Sequence, residues 1–145
     1  MKYLYKITFR IFILLLLFIY GCQRDDGLLA NNTSDNIPAI TNVYNTFSFV
    51  VYADDYNYSK VHQLDIHSDT IVVTITISGH SSGNGVLEIK DGVNASLYLK
   101  DLSSEMVVTD IFKSINMLGS LALSLNHYTG KVTITVAGKV SHGVL

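Results

Sequence analysis

The sequence predicts an all-β protein: a single antiparallel β-sandwich, of jelly-roll or immunoglobulin-like type, following an N-terminal export signal. Three observations lead there. Beyond residue 43, apolar residues recur at every second position, the period of a strand with one buried face. The breaks between these runs are filled by Gly, Asn, Asp and Ser, the residues of tight turns. Helical periodicity is nearly absent, and the runs amount to about eight short strands, enough for a two-layer sandwich.

The chain opens with Lys2, Lys6 and Arg10, then an unbroken apolar run of ten residues from Ile11 to Tyr20. As a helix that run spans about 15 Å, half of a hydrocarbon core. A charged start, a short apolar middle and a small residue at the break are the proportions of a cleaved secretory signal over 1–21. Cys22 is the only cysteine, so its thiol has no partner within the chain. Ile19-Tyr20-Gly21-Cys22 resembles the lipobox of bacterial lipoproteins, in which the peptide is cut before the Cys and diacylglycerol is attached to it. The resemblance implies an anchor of palmitate-type acyl chains, each buried CH₂ contributing about 0.8 kcal/mol, with no spanning segment. Gln23, Arg24, Asp25 and Asp26 resemble the basic-then-acidic export signal of surface lipoproteins of the Bacteroidetes. That likeness implies the outer membrane, with the domain on the cell surface.

Residues 22–42 are expected to be a lipidated, flexible tether. Asn31-Asn32-Thr33-Ser34-Asp35-Asn36 has no apolar period, and the segment holds the single proline, Pro38. Residues 43–145 then form the sandwich domain, long enough for its own core. Lys2, Lys6 and Arg10 leave with the signal, so ten basic residues fall to seven against twelve acidic ones, a net charge of −5 with histidine neutral. A net acidic chain without a basic cluster argues against nucleic acid as a partner.

Within the domain Phe47, Phe49 and Val51 alternate with Ser48, Val50 and Tyr52. Ile71, Val73, Ile75 and Ile77 alternate with Val72, Thr74, Thr76 and Ser78. Leu87 and Ile89 oppose Glu88 and Lys90, and Leu97 and Leu99 oppose Tyr98 and Lys100. Leu121, Leu123 and Leu125 form another inward row, as do Val132, Ile134 and Val136. Ser78–Gly85 reads as a loop, Asp91-Gly92 as a turn and Tyr128–Lys131 as a tight connection. Asp110–Ile115 fits either a helical turn or a strand. The order of the last 70 residues resembles small sandwich domains of Bacteroidetes lipoproteins, through Gly83–Ile89, a Leu-rich strand and Thr129–Ile134.

Tyr52, Asp54, Asp55, Tyr56 and Tyr58 are the candidate ligand-binding residues. Three tyrosines and two carboxylates at a strand end suit stacking on a sugar ring, hydrogen bonding to its hydroxyls, or holding Ca²⁺. Gly79-His80-Ser81-Ser82-Gly83 fits the nucleophile-elbow spacing, but the elbow needs a helix directly after the Ser. Here another alternating strand follows, so no catalytic residue is assigned. His62, His67, His80, His127 and His142 do not pair at metal-site spacing, and no metal or other cofactor is expected. Asp69-Thr70-Ile71 resembles the O-glycosylation site of exported Bacteroidetes proteins, with Thr70 the acceptor. The expected function is a lipid-anchored, non-catalytic binding or adhesive module for a glycan or protein partner. The alternative is a structural or assembly subunit of an envelope complex, and a small hydrolase through Ser81 comes last.

Overall fold

The computed structural model describes residues 36–139. The signal segment 1–21, Cys22, the export residues Gln23, Arg24, Asp25 and Asp26, and most of the tether lie outside the described residues. Six strands follow: β1 Ala39–Val43, β2 Thr46–Gln63, β3 Thr70–Asp91, β4 Ser96–Asp101, β5 Met106–Lys113 and β6 Leu118–Gly138. Residues 39–42, expected in the flexible tether, instead belong to the first strand, with Thr41 beside Ser48 and Ile40 beside Phe49.

The order is β1-β2-β6-β3-β4, with β5 also on β3, and every pairing is antiparallel. The expected all-β antiparallel sandwich is present, and its two layers belong to one hydrogen-bonded sheet. Phe47 and His62 show how. They stand 15 residues apart on one strand, about 50 Å if it ran straight, yet their rings are 5.2 Å apart. Strand β2 therefore doubles back over itself, and β6 and β3 turn with it.

The corner is written in backbone conformation. Asp55, His127, Gly79, Gly83 and Gly130 all have positive φ, and they fall where the registers of β2, β6 and β3 slip. Gly83 is favoured strongly there, because a Cβ would press on the backbone carbonyl oxygens of His127 and Asn126. Ser78–Gly85, expected as a loop, and Tyr128–Lys131, expected as a tight connection, are therefore corners inside continuous strands. That is why six strands give the short runs expected of about eight.

Phe47, Phe49, Val51, Ile71, Val73, Ile75, Val132, Ile134 and Val136 line the inner face of the first layer. Leu87, Ile89, Leu121, Leu123 and Leu125 face them from the second, all in one buried cluster. Asp91 closes the β3–β4 hairpin: its carboxylate accepts hydrogen bonds from Val93 N, Ala95 N and Asn116 Nδ2 at 2.8–3.0 Å. Asp110–Lys113 is the end of a strand, not a helical turn.

One row is reversed. Leu99 is 66% exposed, and Tyr98 turns inward beside Phe112. The register slip after Ile89 sets Tyr98 against Ile89 and Lys100 against Leu87, moving the alternation by one residue. Tyr98 then donates to Asp110 Oδ2 at 2.7 Å, joining β4 of one layer to β5 of the other.

Candidate functional site

The corner gathers polar side chains from three strands that are far apart in sequence. His127 Nδ1 and Asp55 Oδ1 are 2.7 Å apart. Asp55 N donates to Thr129 Oγ1, and His127 N donates to Asn57 Oδ1. The two left-handed non-glycine residues at the register slips, Asp55 and His127, are thus tied to each other and to the neighbouring strand, which holds the bend. Both side chains are about two-thirds or more exposed, so as an ion pair they contribute little.

The five candidate residues divide between surfaces. Tyr52 lies on the outer face of the first layer, with Lys131 Nζ 4.8 Å from its ring centroid. Asp54 is exposed, and its backbone is bracketed by the Asn36 side chain: Asp54 N donates to Asn36 Oδ1, and Asn36 Nδ2 donates to Asp54 O. Tyr56 is half-buried and packs against the core. Tyr58 is only 6% exposed, its ring 5.2 Å from Phe49 and its hydroxyl 2.9 Å from His62 Nε2. Burial pushes the Tyr58 hydroxyl pKa up, with Tyr56 adding to the shift. The corner thus presents Asp54 and Asp55 to solvent, sends Tyr58 into the core and leaves Tyr52 on another face.

Sequence reasoning missed a site beside the corner. A groove of about 590 Å³ crosses the outer face of the second layer, lined by Asn57, Tyr58, Ser59, Asn84, Ser124, Leu125 and Asn126. Asn126 lies opposite Asn84, and Ser124 lies opposite both Ser59 and Val86. Three asparagines and two serines from β2, β6 and β3 therefore stand side by side. No lining residue carries a charge. The Asn57 oxygen is taken by His127 N, but its two amide hydrogens, the Asn84 and Asn126 amides and the two hydroxyls supply both donors and acceptors, so the groove can match alternating hydroxyls on a ligand. Beyond Ser59 and Ser124 the same face continues to Lys60, Val61, Val86 and Glu88. The one available signal is that Asn84 lies between Gly83 and Gly85, but its adjacency to Asn126 needs the register.

Ser81 sits in the β3 corner, between Gly79 and Gly83, and is exposed. His80 packs edge-on against Tyr128 at 4.9 Å. Tyr128 donates to the Leu102 carbonyl, and burial, then the Asp101 charge, pushes its pKa up to about 12. Thr70 opens β3, half-buried, with its hydroxyl donating to Asp69 Oδ1. Among the described residues no group of three or more His, Cys, Asp or Glu side chains is placed to hold a metal ion.

No family model and no curated protein matches this sequence. Among solved structures, the chain is similar to a chain of the Glycosylation Associate Protein (Gap123) complex from Streptococcus agalactiae. The identity is 10%, covering 78% of this chain and 46% of that one, with a TM-score of 0.32. The chain spans less than half the length of that neighbour, and a likeness this distant assigns neither a family nor a role.

Proposed function

We propose that this protein is a lipid-anchored, surface-displayed binding module, without catalytic activity of its own, that recognises a neutral glycan in the asparagine–serine groove. The observation that carries the reading is the lining: five exposed, uncharged polar side chains, Asn57, Ser59, Asn84, Ser124 and Asn126, from three adjacent strands, over the buried Tyr58 and Leu125. A hydroxyl-rich ligand without charge finds donors and acceptors there and no ion to desolvate. An acidic ligand finds no cation in the row, and a protein anchor finds no exposed aliphatic among the lining residues, Leu125 being buried.

Probing an array of neutral and acidic glycans with the full chain tests this. Binding is expected among the neutral ones, falling at least tenfold in Asn126→Ala, which corresponds to about 1.4 kcal/mol. Asn126 is exposed and its side chain supports no strand, so the thermal midpoint should hold. Binding confined to acidic glycans, or none at all, ends the reading. The anchor has its own test. Cys22→Ser should move the protein from the membrane fraction to the soluble one after alkaline washing, because a lipid chain needs that sulfur.

A further inference from the structure

Strand β5 is an edge. Among the described residues it pairs only with β3, without a register slip, along the whole of Met106–Lys113. Its guards are few: there is no Pro or bulge, the inward Asp110 is engaged by Tyr98, Lys113 stands only at the strand's end, and Val107 and Ile111 are 80% and 63% exposed on its outer face. Such an edge is a template for a further strand.

Its own sequence selects the partner. We propose that a second copy of this chain pairs with it, β5 against β5, antiparallel about a two-fold axis through Thr109. An axis normal to the sheet keeps outer residues beside outer residues, so it passes through a residue rather than between two. Through Thr109 it sets Val107 against Ile111, Met106 against Phe112 and Glu105 against Lys113. Through Val108 it would set Met106 against Asp110 and Glu105 against Ile111. Through Asp110 it would oppose two like carboxylates. The Thr109 register alone among these matches apolar with apolar and acid with base. Its one mixed pair is Val108 with Asp110, and the Asp110 carboxylate already receives the Tyr98 hydroxyl at 2.7 Å and lies 3.7 Å from Lys100 Nζ. Glu105 accepts from Gly79 N through Oε1, which leaves Oε2 for Lys113.

The outer face continues across such a junction. Thr41, Ser48, Thr135, Thr74 and Thr109 are successive cross-strand neighbours on β1, β2, β6, β3 and β5. Flanking rows of Ala39, Val50, Thr133, Thr76 and Val107, and of Val43, Thr46, Ala137, Val72 and Ile111, add no charge. Because the axis falls on Thr109, the hydroxyl row of one copy runs directly into its own image.

Thiol cross-linking of the full chain in membranes tests this, with a short bis-maleimide and the wild type, whose only cysteine is Cys22, as the blank. Thr109→Cys should give a band of doubled mass. Thr41→Cys on the opposite edge and Thr135→Cys at the centre of the face should not. Adding Lys113→Glu should cut the Thr109→Cys product at least fivefold, and Glu105→Lys on top should restore it. A Thr109→Cys chain that stays single overturns the proposal. So does equal or greater cross-linking at Thr41→Cys or Thr135→Cys, which would mean the other edge or the face meets the partner. Indifference to Lys113→Glu overturns the register.

Discussion

Gly79 and Gly83 both take left-handed conformations in the β3 corner, with φ of +65° and +84°, but their surroundings differ. A Cβ on Gly79 meets nothing within 4 Å, so Gly79→Ala should cost only the backbone preference, about 1–2 kcal/mol. A Cβ on Gly83 would press on the backbone of Asn126 and His127, so Gly83→Ala should cost about 3–4 kcal/mol. Denaturant midpoints of the two variants decide; equal losses would mean that strain, not close approach, sets the corner. His62 provides the pH counterpart. Burial, then Lys60, holds its imidazole below the ordinary range, so the unfolded chain takes up the proton first. Stability should be full above the unfolded pKa of about 6.5 and fall as pH drops through it toward the folded value. Thermal midpoints measured from pH 8 to 5 should decline less in His62→Gln than in the wild type over that window.

At the scale of strands, β4 and β5 belong to different layers and are joined by Tyr98 and Asp110. Burial, then the hydrogen bond to Asp110, holds the Tyr98 hydroxyl far above the ordinary phenol range, so it stays a donor. Tyr98→Phe should lose about 1.5 kcal/mol, because the Asp110 side chain is 42% exposed and water takes the vacated place. Lys100→Met should change stability by less than about 1 kcal/mol, its nitrogen being 3.7 Å from the carboxylate near solvent. Chemical denaturation separates the two; a larger loss for Lys100→Met would assign the junction to charge. How the strands read from sequence follows the same physics. Ile71–Ile77, Leu121–Leu125 and Val132–Val136 alternate without interruption and are all buried as their period implies. Leu97–Lys100 departs from its alternation at Tyr98 and Leu99 because a register slip is a property of two strands, invisible in one. Gly79, Gly83 and Gly130 mark turns in any sequence, and whether a strand ends or bends there depends on the neighbours it stays paired with.

For the whole molecule, the bend decides what faces solvent. It turns Tyr58, a ligand candidate by composition, into a core residue, and it assembles Asn57, Asn84 and Asn126 from positions as many as 69 residues apart. The aromatic and acidic run 52–58 was visible because it is continuous in sequence; the amide row was not, because it exists only across strands. With recognition proposed in the groove, the Asp55–His127 pair has a supporting role at the corner. The measurement that tests this most directly is binding of the full chain to its best neutral glycan, compared side by side in Asn126→Ala and Asp55→Ala. The account predicts at least a tenfold loss for Asn126→Ala and less than a threefold change for Asp55→Ala, about 1.4 and 0.6 kcal/mol respectively. Loss with Asp55→Ala and full binding with Asn126→Ala would contradict it and return the site to the corner.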